Sequence, residues 1–238
     1  MIPAGELLLV AGACALYAFD AGRLLYADEF MLEGRGNRWR ARDGAAVLLS
    51  GRRPLLPDLL RPGRALLPVS VERLACGSGP SGADTRHFLA ALRPFGRRAT
   101  LLMVLFFPGL PLVLRTFGTG VVLLAWMVAV YAVIGSIAWR LWRGRRVLEL
   151  PTAAVASLAL ECALCPPFAI NIVRKLCGRA ERLRLDDARR VLGEDGHRVL
   201  RQAAAHRIDD LLSYLPPDGD TVGRLGEQRA RLQLEATP

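Results

Sequence analysis

Apolar residues in this chain gather into three blocks separated by polar, arginine-rich stretches. Residues 99–139 form the longest, 41 positions carrying one charge, Arg115. Arg97 and Arg98 precede it, and Arg140, Arg143, Arg145 and Arg146 come after it. A helix needs about 20 residues to cross a hydrocarbon core ~30 Å thick. The block therefore predicts a transmembrane hairpin, with spans at 99–114 and 117–139. Pro108 and Pro111 predict a kink in the first span, and Gly118 and Gly120 favour the turn. Ala125, Ala129 and Ala132 offer a small face for helix contact.

The first block, residues 2–19, predicts a transmembrane helix within 1–26, with Asp20 and Arg23 at the interface and Tyr17, Phe19 and Tyr26 as aromatic anchors. A cleaved signal is disfavoured, because the first turn has no Lys or Arg and contains Glu6. The last block, 150–173, starts with Pro151 and is interrupted by Pro166-Pro167. With Glu161 and Asn171 inside it, this segment either crosses brokenly or re-enters on the side it left.

Between the first two blocks, residues 27–98 read as a soluble insertion. The runs 24–33 and 39–42, joined by Gly34-Arg35-Gly36-Asn37, predict a β-hairpin, and Asp43-Gly44 is placed to close a second one. Pro54, Pro57, Pro62 and Pro68 keep the later part of the insertion at a sheet edge or in loops. Residues 76–82 read as a linker, after which Asp84 or Thr85 is placed to cap a helix over 86–93. The tail, 174–238, reads as soluble helices. Val199, Leu200, Ala203, Ala204, Ile208, Leu211, Leu212 and Leu215 form an apolar stripe there, a candidate docking face for a partner.

Charge turns this pattern into a topology. Of 32 basic residues, 31 are Arg and one is Lys175, and the net charge is +10. Many of the arginines abut the apolar blocks, which points to anionic lipid headgroups rather than nucleic acid. Arg140, Arg143, Arg145 and Arg146, with Trp139 and Trp142, are the expected headgroup contacts. The near-absence of Lys suits a GC-rich bacterial genome, hence an inner membrane. The hairpin puts residues 20–98 and the basic loop 140–149 on one side, and their arginines make it the cytoplasm, with the N-terminus outside. A full crossing by 150–173 would export Arg174, Lys175, Arg179, Arg182 and Arg184, so a re-entrant segment and a cytoplasmic tail are preferred.

Candidate chemistry is sparse. Glu161 is the main polar candidate, since a carboxylate inside an apolar segment costs roughly 2.5–3.5 kcal/mol and usually meets a partner or a wet cavity. Ser157 and Cys165 share its helical face at spacings of four, and Asn171 lies beyond the break. Cys162 and Cys165 form a C-x-x-C, the pattern of disulfide exchange. With several membrane helices around it, this tetrapeptide resembles the thiol-oxidising quinone reductases of the vitamin K epoxide reductase type. That family also needs a second cysteine pair in a loop, whereas Cys76 stands alone here and Cys14 and Cys177 form no pair in sequence. Small apolar packing is the plainer reading of both thiols. A zinc site from Cys162, Cys165, Cys177 and His197 fits no standard spacing, and no nucleotide or hydrolase motif occurs, so neither metal nor cofactor is expected.

The sequence thus predicts a mainly α integral membrane protein with three to four transmembrane segments, a small β-containing insertion and a helical tail. The leading function is a non-enzymatic scaffold or accessory subunit docking a protein partner, or a further copy of itself, at the cytoplasmic face. A small transporter component using Glu161 is the alternative, and a thiol oxidoreductase using Cys162 and Cys165 the second.

Overall fold

The apolar run at 99–139 folds into two helical limbs joined at Gly118, whose φ of +64° suits the absence of a side chain. The chain is represented by a computed structural model that describes residues 4–26, 29–35, 38–45, 47, 49–50, 52–70, 82–179, 185–214 and 220–234. These are mostly helical with a small strand region. They sort into two units interleaved along the chain. One comprises Met1–Gly22, Leu56–Arg64 and His87–Ala180, and the other comprises Arg23–Leu55, Ala65–Arg86 and Glu181–Pro238.

In the first unit, α1 (Ala4–Ala21) leads to the loop Leu56–Arg64 and then to α2 (Gly82–Val104), which belongs here from His87 onward. The helix start expected near Arg86 is corrected to Gly82. The capping role read into Asp84 or Thr85 falls away, because both lie inside α2. Pro94 does not break it, since a proline removes only one ladder bond. Leu92, Phe95, Ala99 and Leu102 form its buried stripe. A π-turn at Leu105–Gly109 then absorbs Pro108. The Leu105 carbonyl is doubly satisfied there, by the Leu110 amide and by Trp126 Nε1 at 3.1 Å. α3 (Leu110–Phe117) completes the limb, and α4 (Val121–Gly144) returns with Val130, Ile134, Ile137 and Leu141 buried.

The helical stretches Arg86–Phe117 and Val121–Gly144 are each long and apolar enough to cross a membrane. Only 22% and 17% of their most apolar windows are buried, whereas the core helix of a soluble protein is mostly buried. Their outward positions include Leu101, Val104, Leu124 and Val128, all exposed. Ala125, Ala129 and Ala132 are exposed too, so the small face expected to meet a neighbouring helix is not used within the chain. α5 (Thr152–Leu164), the short α6 (Pro166–Ile170) and α7 (Ile172–Arg179) finish the unit, with the break at Cys165 and Pro166. Gly63 of the loop meets Gly96 of α2 so closely that a Cβ on Gly63 would stand 3.1 Å from the Gly96 Cα.

The second unit begins where α1 stops. Arg23–Leu25, read as a possible extension of the first helix, is a strand, β1, paired antiparallel with β4 (Arg53–Leu55). The expected hairpin is present: β2 (Glu29–Arg35) pairs with β3 (Arg38–Arg42), Gly34 opposite Trp39. Asp43-Gly44 does not close a second hairpin on β3. Gly44, at φ +80°, turns the chain away so that the Ala45 amide meets the Pro54 carbonyl at 2.7 Å. β5 (Ala65–Ser70) takes the other edge of β2, giving the order β3-β2-β5. Leu25, Met31, Leu55 and Leu66 form one apolar cluster.

α8 (Leu185–Tyr214), kinked at Gly193 (φ 70°), packs against β3. Its stripe is covered: Leu200, Ala203, Ala204 and Ile208 are buried. The docking face expected on this helix is therefore corrected, because the chain's own sheet takes much of it; Leu215 lies outside the described residues. α9 (Asp220–Leu234) packs on α8 and buries Leu225. Residues 76–81, expected as a linker, also lie outside the described residues. Much of the insertion and most of the tail, read as separate modules, fall into this one unit, while Leu56–Arg64, the insertion from His87 onward and the tail up to Ala180 belong to the other.

Candidate functional site

The polar residues of the broken segment converge on the C-terminal end of α1. The helical repeat puts Ser157 and Glu161 on one face of α5, where Ser157 Oγ donates to Glu161 Oε1 at 3.2 Å. Lys175 of α7 lies 2.9 Å from Glu161 Oε2 and 3.0 Å from Asp20 Oδ1. Arg179 approaches Glu161 Oε1 at 3.7 Å and donates to the Ala154 carbonyl at 3.1 Å. The contacts step backward along α5 as α7 advances, so α7 runs antiparallel to α5 and the chain doubles back at Cys165-Pro166-Pro167.

Asn171 extends the array. It is fully buried at the junction of α6 and α7, and Nδ2 donates to Asp20 Oδ2 at 3.0 Å and to the Tyr17 carbonyl at 3.1 Å. Its Oδ1 accepts from Arg174 Nη1 at 2.7 Å. Arg174 in turn reaches the Asp58 carbonyl at 2.6 Å, and Tyr17 Oη donates to the Leu59 carbonyl. Two side chains of α7 and α1 thereby hold the loop Leu56–Arg64 by its backbone. Arg174, 2% exposed, has hydrogen bonds and a cation–π contact to Tyr17 at 6.0 Å to offset desolvation.

Burial alone would push the Lys175 ammonium down. Its hydrogen bonds to Glu161 and Asp20 outweigh that and hold it above the ordinary lysine value of 10.5. The Phe168 ring adds a face 4.6 Å away. Chemically, then, Glu161 is an ion-pair acceptor bound by a lysine and an arginine. The structure joins the three sequence candidates, Glu161, Ser157 and Asn171, through Asp20 and Lys175, which sequence reading passes over. One signal for them exists: Lys175 is the sole lysine among 31 arginines. A compact ammonium can sit between two carboxylates where a planar guanidinium demands a fork geometry.

Of the other candidates, the two cysteines border this array, within reach of the charges on Lys175 and Asp20, and the loop arginines lie elsewhere. Cys162 is buried in α5, Cys165 is half-buried at the helix break, and both are free thiols. Among the described residues no three His, Cys, Asp or Glu side chains come together to hold a metal. Arg143 lies over the Trp139 ring at 5.9 Å and Arg145 over Trp142 at 4.4 Å, with Arg146 exposed beyond them. Arg140 turns instead toward α2. Compared with known protein families, curated proteins and solved structures, the chain matches none.

Proposed function

We propose that this chain is a multi-pass protein of a bacterial inner membrane that works without catalysis, as a scaffold or accessory subunit. In this reading α1 and the limbs Arg86–Phe117 and Val121–Gly144 cross the bilayer, and residues 150–173 enter from the cytoplasmic side and return to it. The observation that carries it is Arg207 of α8, whose Nη2 donates to the Glu29 carbonyl at 2.6 Å. A residue beyond the broken segment and one that precedes the hairpin thus belong to one packed unit. They can do so only from one side of the membrane. The antiparallel run of α7 along α5 agrees with a segment that doubles back, and the positive-inside rule names that side the cytoplasm.

The scaffold reading draws support from how the polar groups are used. Glu161, which a coupled transporter would load and unload, is bound by Ser157, Lys175 and Arg179. Polar groups at membrane depth are tolerated where protein surrounds them, a condition that fully buried Asn171 meets. A partner would meet the soluble unit, where Val47, Leu49 and Tyr214 are exposed.

Topology reporters fused after Arg115, Gly144 and Thr237 test the arrangement: outside, inside and inside are expected. An outside signal at Thr237 would overturn it. For function, protein in liposomes should give no charge movement on a pH jump. A current that disappears in Glu161→Gln would replace the scaffold by a transporter.

A further inference from the structure

Between α2 and α4, bridged by the hydrogen bond from Arg98 to Ser136, lies an open groove of about 600 Å3. Arg93, Arg97, Arg98 and Arg140 line it, together with Leu101 and Val133, and among the described residues no carboxylate does. Arg98 is held in place, its Nε donating to Ser136 Oγ at 2.9 Å and its Nη1 to the Pro94 carbonyl at 2.9 Å. Arg93, Arg97 and Arg140 have no hydrogen bond or ion pair among the described residues. Four like charges around one opening, without a counter-charge, favour an anion there. A guanidinium offers paired N–H donors suited to phosphate oxygens.

The groove is also polarised along the helices. Arg98 faces Ser136 across it. Leu101 and Val133 lie about one turn further toward the hairpin turn, while Arg93, Arg97 and Arg140 lie on the other side of that level. Positive charge therefore sits at one end and apolar surface at the other, with the charged end at the boundary of the apolar run. A water-borne phosphate would use only the first end.

We propose that this groove binds an anionic phospholipid, its phosphate among Arg93, Arg97, Arg98 and Arg140 and the start of an acyl chain along Leu101 and Val133. The site rests on the reading that the two limbs span a bilayer. It differs from the loop arginines Arg143, Arg145 and Arg146, which lie outside the groove.

The test is native mass spectrometry of the full chain released from detergent with phosphatidylglycerol or phosphatidylcholine of identical acyl chains. Wild type should retain phosphatidylglycerol preferentially. Arg97→Gln with Arg140→Gln should lower that preference roughly fivefold or more, while Arg143→Gln with Arg146→Gln, the same change in net charge, should leave it intact. Should the first pair misfold, exposed Arg93→Gln alone carries the comparison. Equal retention of both lipids by wild type, or equal loss in both double variants, would overturn the site. Displacement of the lipid by millimolar inorganic phosphate would overturn its lipid character. Carbonate extraction keeps the two failures apart: a soluble protein sinks the membrane reading, and an embedded protein without lipid preference sinks only the groove.

Discussion

Lys175 Nζ stands 2.9 Å from Glu161 Oε2 and 3.0 Å from Asp20 Oδ1, one ammonium between carboxylates from two helices. The lysine side chain is 15% exposed and Asp20 13%, so water screens the Asp20 contact little; Glu161, at 37%, is more open. The array ties α7 to both α5 and α1. Removing its centre takes the ammonium from Asp20 and leaves Glu161 with Arg179 at 3.7 Å.

Lys175→Gln should therefore destabilise the chain by about 1–3 kcal/mol, the cost of stranding a partly buried polar partner. Lys175→Arg should recover only part of this, because a planar fork cannot occupy the point between Asp20 and Glu161. Melting temperatures of the two variants in one detergent check both statements. A Lys175→Gln protein as stable as wild type would show that the array is ornamental.

The same contact sets a pH dependence. The folded Lys175 value lies above 10.5, so its protonated form is favoured by folding. The resulting stability is fully present below the ordinary lysine value and is lost as pH rises through the folded value. The gap in melting temperature between wild type and Lys175→Gln should stay constant from neutral pH upward and narrow only in strong alkali. Narrowing near neutrality would assign the effect to another group.

Arg207 is 1% exposed and donates to the carbonyls of Glu29 and Asp43, at 2.6 and 3.2 Å. Arg207→Ala removes a large buried side chain and leaves two acceptors to water or to nothing, a loss of about 2–4 kcal/mol. Limited proteolysis should then cut within residues 23–55 and within α8 together, since both halves of the unit loosen. Cleavage of one half alone would mean that they are not coupled.

Gly63 and Gly96 approach backbone to backbone, so neither can gain a methyl group without moving the other. Gly63→Ala or Gly96→Ala should cost about 1–3 kcal/mol through overpacking. Gly135→Ala, whose new Cβ meets nothing within 4 Å, should change stability by less than about 0.5 kcal/mol. Thermal melts of the three variants separate packing from a general intolerance of substitution.

Legibility in the sequence is local. A 41-residue apolar run has few alternatives to a helical hairpin, and Gly34 through Asn37 between two apolar runs is a turn signal. The stripe around Leu200 and Ile208 is visible as a stripe, yet periodicity names a face and not what covers it. Pairings distant in the chain leave no trace in spacing: β1 with β4, Lys175 with Asp20, Arg207 with Glu29. At the candidate site Glu161, Ser157 and Asn171 stand out because polar groups in an apolar segment are conspicuous. Asp20 and Lys175 sit at the ends of two different apolar blocks, where charges are ordinary, and do not. The helix start at Gly82 escapes sequence reading because Asp84 and Thr85 look like caps, and its continuation past Arg93 because Pro94 looks like a boundary.

The split composition of the soluble unit has a consequence for the order of synthesis. Arg23–Leu55 leaves the ribosome before the apolar hairpin, and Glu181–Pro238 only after it. Until then β3 lacks its covering helix, and the Glu29 and Asp43 carbonyls lack the arginine that satisfies them. In the proposed topology, a hairpin with only one limb inserted would leave the two halves on opposite sides of the membrane. Closure of this unit therefore requires both halves on one side, and a chain in which they were separated would keep an uncovered sheet, a surface prone to aggregation.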